Sequence, residues 1–172
     1  MLPHDERPYS FCPLCGAGLE LRSLKPTEPD RLVCAGCGFI FYQDPKVAVG
    51  TIIRDEREQI VLLRRAIQPG YGKWVFPGGF VDRGEAVLDA AHREAREESG
   101  LEIRIERLLN VYSYPGSAPV IIVYVASIAG GSFACDEESL EGRFFTADAI
   151  PWDKLAFKST YEALQEFLIT KS

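Results

Sequence analysis

Three carboxylates crowd one short stretch, Glu94, Glu97 and Glu98, in the run Arg93-Glu94-Ala95-Arg96-Glu97-Glu98. On a helix Glu94 would neighbour both of the others, because residues three and four apart share a face. Gly100 follows as a helix stop, so the acids fall in the last turns, where the helix dipole disfavours negative charge. Repulsion and dipole both oppose the arrangement, and a cation would offset both. Hard divalent ions take oxygen ligands and keep waters for a substrate phosphate. A loop with five glycines and two prolines, residues 64–84, stands just before the helix. Trio and loop together suit a site where a divalent ion meets a phosphate. Taken alone, the residues also allow a solvated acidic face partly neutralised by Arg93 and Arg96.

A second group has metal chemistry of another kind. Cys12-Pro-Leu-Cys15 and Cys34-Ala-Gly-Cys37 are separated by eighteen residues, the spacing of a four-cysteine zinc ribbon. Four thiolates close a zinc tetrahedron and leave no position for water, so Zn²⁺ bound by Cys12, Cys15, Cys34 and Cys37 is expected to be structural. Cys135 is left over as a small loop residue.

The elements that must position these groups fall into two parts. Residues 1–44 carry both cysteine pairs and little continuous apolar sequence, and they need a metal staple in place of a core. Residues 45–172 have the texture of a mixed α/β domain. Apolar runs at 47–53 and 60–63 flank a polar turn and read as paired strands. A short strand around Trp74 interrupts the loop at 64–84, and a helix over 85–99 carries Val87, Leu88, Ala91 and Ala95 at helical spacing. Strands follow at 103–112, 120–128 and 143–146, then a helix over 160–169 with Tyr161, Leu164, Phe167 and Leu168 on one face. No internal repeat is evident.

Composition excludes several classes. At 172 residues and 47% hydrophobic the chain can bury a real core, which argues against disorder. A net charge of −6 argues against a surface built to neutralise many phosphates, so no nucleic-acid partner is expected. Met1 to Arg7 contain no apolar core of signal-peptide length, and the longest apolar stretch, 120–129, is too short to cross a bilayer. A cytoplasmic protein without a membrane partner is the expectation.

The segment from Gly79 to Leu101 resembles the Nudix box at every position: Gly79, five residues, Glu85, seven residues, Arg93-Glu94, Ala95, one residue, Glu97-Glu98, one residue, Gly100 and Leu101. Chance agreement is on the order of one in a billion per starting point. The resemblance implies a Nudix α/β/α sandwich with a mixed sheet, preceded here by the ribbon. It implies Mg²⁺ or Mn²⁺ on Glu94, Glu97 and Glu98, joined by the carbonyl of Gly78, with Glu85 and Arg93 supporting the loop through a salt bridge. Gly72-Lys73-Trp74-Val75-Phe76-Pro77-Gly78-Gly79 is similar to the family's approach to the box, with Trp74 read as a packing residue. The expected reaction is attack of water on a diphosphate. The base is a box glutamate or a later one, Glu138 or Glu141, and the latter two read equally well as members of a polar loop.

A ribbon ahead of a Nudix domain resembles the NADH pyrophosphatases, but their Ser-Gln-Pro-Trp-Pro-Phe-Pro signature is absent. Tyr42-Gln-Asp-Pro45-Lys46, Ile67-Gln-Pro69, Glu138-Ser-Leu-Glu141 and Ile150-Pro151 onward are similar to the plant plastid FAD pyrophosphatase type, which also splits ADP-ribose. That implies FAD or ADP-ribose as substrate, a homodimer and a small-molecule nucleoside diphosphate derivative as ligand. Arg64 and Arg65 are candidates for phosphate or adenine contact, and equally for a surface role. Tyr112 and Tyr114 are candidates for ring stacking or for packing. The competing class is a nucleotide-sensing regulator that contacts protein or nucleic acid through its ribbon.

Overall fold

The computed structural model describes residues 9–170; Met1 to Arg7, the stretch read for a signal peptide, lie outside them. The chain divides into two compact units, one ending at Pro45 and one starting at Lys46.

In the first unit, β1 (Leu19–Arg22), β2 (Arg31–Cys34) and β3 (Ile40–Phe41) form a three-stranded antiparallel sheet in that order. Its buried side chains are Cys12, Leu32, Val33 and Cys34. So few apolar groups cannot offset the chain entropy of ordering such a unit, which leaves the cysteines as its staple.

The second unit is a mixed sheet with one helix on each face. Its strands are β4 (Lys46–Arg54), β5 (Ile60–Arg65), β6 (Trp74–Val75), β7 (Leu101–Tyr112), β8 (Pro119–Gly131) and β9 (Ser139–Phe145). β4 runs parallel to β8, and β8 antiparallel to β7. β4 meets β5 only where Arg54 faces Ile60, after which the two diverge. β5 then pairs with β6 on one edge and with β9 on the other.

Alternation along the strands assigns each helix its face. Ile52, Leu62 and Val125 pack with Leu164 and Phe167 of α2 (Lys158–Thr170), while Ile53, Leu63 and Ala126 pack with Ala95 of α1 (Val87–Ser99). The buried face of α1 is Ala90, Ala91, Ala95 and Ser99, all small, so the helix axis can lie close to the sheet. Leu88, expected on that face, is 48% exposed, and Ala90 occupies the buried position instead.

Of the boundaries that differ from the sequence expectation, those of α1 and β9 have a plain physical reason. α1 starts at Val87 because Asp82 to Glu85 form a turn, with the Glu85 N–H on the Asp82 carbonyl, and Ala86 is the N-cap. Glu85 therefore stands just outside the helix. β9 begins at Ser139, four residues before the expected strand, because its pairing with β5 runs as far as Arg65 opposite Ser139. At its far end α1 closes on Gly100 in the left-handed conformation, φ 67°, with the Gly100 N–H donating to the Arg96 carbonyl. Among the described residues no helix is long and apolar enough to cross a membrane.

Gly50 of β4 is where this packing is tightest, since a Cβ there would stand 2.2 Å from the ring of buried Phe76. Gly50→Ala is expected to destabilise the second unit by about 1–3 kcal/mol through overpacking. Urea unfolding of the variant beside the parent measures this, and equal midpoints would contradict the packing described.

Candidate active site

The site forms where the chain turns between β6 and α1. Residues 77–81 lie along β4: the Thr51 N–H donates to the Pro77 carbonyl at 2.9 Å, the Val49 N–H to the Gly79 carbonyl at 2.8 Å, and the Val81 N–H to the Val47 carbonyl at 3.0 Å. Between them the Gly78 carbonyl accepts no hydrogen bond from the described residues, while its N–H donates to Glu98 Oε2 at 2.7 Å. A Cβ at Gly78 would come within 2.2 Å of the Val49 carbonyl oxygen, and one at Gly79 within 2.6 Å of both carboxylate oxygens of Glu94. Gly78 is required where the turn presses against the backbone of β4, while a side chain at Gly79 would have to displace the Glu94 carboxylate.

Arg93 is the hub of the acids. Its Nε and Nη2 donate to the two oxygens of Glu85 at 2.8 and 2.9 Å, its Nη1 to Glu94 at 2.7 Å and to Glu97 at 3.1 Å, and its Nη2 also to the Phe80 carbonyl at 3.1 Å. Glu85 accepts the Asp82 N–H as well. The Arg93 fork, then the Asp82 N–H, hold the Glu85 carboxyl down at about 2. Burial acts the other way on two of the box acids, raising Glu94 and pushing Glu98 up to about 8, with neighbouring carboxylates adding to both.

These acids are not gathered into a closed cage. Among the described residues, the potential ligand atoms that all lie within 4.8 Å of one another are the sulfurs of Cys12, Cys15, Cys34 and Cys37. Arg93 Nη1 instead bridges Glu94 and Glu97, so a guanidinium stands between the two.

Of the two later glutamates, Glu138 lies near the box. Its charge bears on both Glu94 and Glu98, and its carbonyl accepts the Ala66 N–H at 2.7 Å. Asp136, which the sequence reading did not single out, bears on Glu98 too; its place at the head of the acidic run 136–138 was the available signal. Glu141 is elsewhere. It faces Arg64 across β5 and β9 and accepts from Arg64 Nη1 at 3.0 Å and Arg143 Nε at 2.8 Å, which hold its carboxyl below the ordinary range.

Arg65 donates to the Pro69 carbonyl and lies over the Phe157 ring at 5.2 Å. Tyr112 is buried and Tyr114 half-buried, and their hydroxyls donate to Glu166 at 2.7 Å and Glu162 at 2.6 Å on α2. Trp74 packs edge-on against Phe145 within the core.

The cysteine quartet in the first unit has S···S separations of 3.8 Å for Cys12–Cys37 and 3.4 Å for Cys15–Cys34. A tetrahedron with metal–sulfur bonds of about 2.3 Å has edges of about 3.8 Å. Backbone N–H groups of Leu14, Gly36 and Cys37 donate to the sulfurs of Cys12 and Cys34. The Cys37 N–H foremost brings the Cys34 thiol down to about 6, while Cys37, beside the other sulfurs, is pushed up to about 12, so the four thiols share their protons unevenly.

Residues 44–167 match the NUDIX domain and residues 10–43 the Nudix N-terminal zinc ribbon. The chain belongs to the Nudix hydrolase family. It is 38% identical over 120 residues to an ADP-ribose pyrophosphatase of Methanocaldococcus jannaschii, covering 67% of this chain and 69% of that protein. It is 27% identical over 147 residues to the NAD-capped RNA hydrolase NudC of Salmonella heidelberg, covering 84% of this chain but only 54% of NudC. The crystal structure of a Nudix hydrolase from Nitrosomonas europaea aligns with a TM-score of 0.89 at 35% identity, over 95% of this chain and 92% of that one. The alignment with the Nitrosomonas europaea structure spans both units of this chain.

The Glu85–Arg93 pair has a pH signature. A carboxyl held near 2 in the folded Nudix unit and at its ordinary value when unfolded stabilises the fold above about pH 4.5, and that contribution is lost as the pH falls towards 2. Glu85→Gln is therefore expected to be less stable than the parent at pH 7, with the gap narrowing at pH 3. Urea unfolding at both pH values tests this; a gap that widens in acid would contradict the pairing.

Proposed function

We propose that this Nudix hydrolase cleaves the diphosphate bond of a nucleoside diphosphate joined to a second moiety, with ADP-ribose or FAD as substrate. The observation that carries the reading is the Gly78 turn. Its carbonyl has no partner among the described residues, beside Glu94 and Glu98, whose burial opposes ionisation. Buried carboxylates and a bare carbonyl are the oxygen donors a hard divalent ion takes.

Glu94, Glu97, Glu98 and the Gly78 carbonyl would hold Mg²⁺ or Mn²⁺. Bound there, the ion supplies charge neutralisation for the diphosphate and acidifies the attacking water. Arg93 and Glu85 position the loop and keep Glu94 and Glu97 on the same side of α1. Glu138 is the better later candidate for accepting the proton from water, since its charge acts on the box acids, whereas Glu141 is spent on Arg64 and Arg143. ADP-ribose is favoured by the name of the 38% identical relative, and FAD by the subgroup stretches around Tyr42, Ile67 and Ile150. Zn²⁺ on the four cysteines would be structural, because four sulfurs complete its coordination.

The test is kcat/KM for ADP-ribose, FAD, NADH and an NAD-capped RNA 5′ end, side by side with Mg²⁺ or Mn²⁺. ADP-ribose or FAD is expected to lead, giving a nucleoside monophosphate, and Glu97→Gln is expected to lose on the order of 100-fold or more in turnover with an unchanged fold. Hydrolysis of none of the four, or a fully active Glu97→Gln enzyme, would sink the proposal and favour the sensing regulator. Separately, the purified chain is expected to carry about one zinc, and Cys34→Ser to lose it and to leave the residues before Pro45 open to protease while those from Lys46 on resist. Metal analysis with limited proteolysis checks both, and an intact, zinc-free N-terminal unit would reject the assignment.

A further inference from the structure

A pocket of about 360 Å³ opens beside β5, β6 and β9, lined by Arg64, Trp74, Glu141, Arg143, Phe145 and Lys154 among others. It is on the α2 side of the sheet. Trp74 and Phe145 belong to the α2-side core, and Arg64 follows Ile60 and Leu62 in alternation, while α1 packs against Val61 and Leu63. The box acids on α1 therefore lie across the sheet from it.

Three cations and one carboxylate leave the lining with two net positive charges. Glu141 accepts from both arginines and so fixes the two forks, while Arg64 Nε is held by the Gly72 carbonyl at 3.0 Å. The Arg143 guanidinium lies over the Trp74 ring at 5.8 Å. Arg64 Nη2, Arg143 Nη1 and Lys154 Nζ then have no hydrogen-bond partner among the described residues. Charged donors held in a fork and left unused suit a tetrahedral oxyanion. A volume in the range of small-ligand sites leaves room for an attached group beyond the phosphate, against Phe145.

We propose that this pocket is a second anion site, separate from the hydrolytic centre, that binds a phosphate dianion either as inorganic phosphate or as the phosphate of a nucleoside monophosphate. The site takes Arg64 out of the hydrolytic reaction and gives it to a ligand on the far face. A nucleoside monophosphate is also the product class of the proposed hydrolysis, so the site would read product level.

The experiment titrates inorganic phosphate, and in parallel AMP, into the full chain without added Mg²⁺ at constant ionic strength, following tryptophan fluorescence, to which Trp74 contributes. Saturable binding is expected. Lys154→Ala and Arg143→Gln are each expected to weaken it roughly tenfold, the factor matching loss of about 1.4 kcal/mol of charged contact, and Lys154→Arg to restore most of it. AMP binding tighter than phosphate would identify the nucleotide as the occupant, and equal binding the phosphate group alone. Glu97→Gln is expected to bind as the parent does, which separates this site from the hydrolytic one. Absence of saturation, unchanged affinity in both pocket variants, or loss of binding in Glu97→Gln would overturn the proposal.

Discussion

Negative charge concentrated at the carbonyl end of α1 must be held in place, and much of the second unit is arranged to hold it. Glu94, Glu97 and Glu98 repel one another and the helix dipole. A single guanidinium offsets this, because Arg93 reaches Glu94 and Glu97 from within the same helix. Arg93 is itself kept in position from outside the helix by Glu85, which also takes the Asp82 N–H, and by the Phe80 carbonyl. The loop and the helix thus share one ionic anchor. Were it absent, both the acids and the turn before them would lose their common reference point.

Small residues set the distances around that anchor. Gly78 and Gly79 let the turn lie between β4 and Glu94, and the alanines of α1 bring the helix close to the sheet. The backbone of the turn is saturated by β4 on either side of Gly78, which fixes its path while leaving one carbonyl unused.

Glu141 lies on β9 opposite Arg64, whereas Glu138 precedes the strand, beyond the register shift between Arg64 and Arg65. Gly142 looks towards Phe133, Cys135 and Leu63 on the α1 side, so Glu141 and Arg143 on either side of it look away. There they meet Arg64, while Glu138 stays near the box. The α1 face of β5 and β9 is apolar, with Val61, Leu63 and Phe144 packed there, while Arg64, Glu141 and Arg143 on the other face line the pocket.

The sequence by itself determined the features that depend on short, fixed separations. Cysteine spacing named the ribbon, and the spacing of Gly79, Glu85, Arg93, Glu94, Glu97, Glu98 and Gly100 named the family, because a helix repeats every few residues whatever surrounds it. It also marked where α1 ends. Only the tertiary structure decided which partners distant groups find. Tyr112 meets Glu166 across 54 residues and Arg64 meets Glu141 across 77. It decided as well that Ala90 rather than Leu88 is buried, that Glu85 stands outside the helix, and that Asp136 joins the acids. The Arg64–Glu141 pair depends on the register of β5 against β9, and the place of Glu85 on the turn that begins at Asp82. Local periodicity carries no record of register, since the pairing of one strand is chosen by the side chains of another.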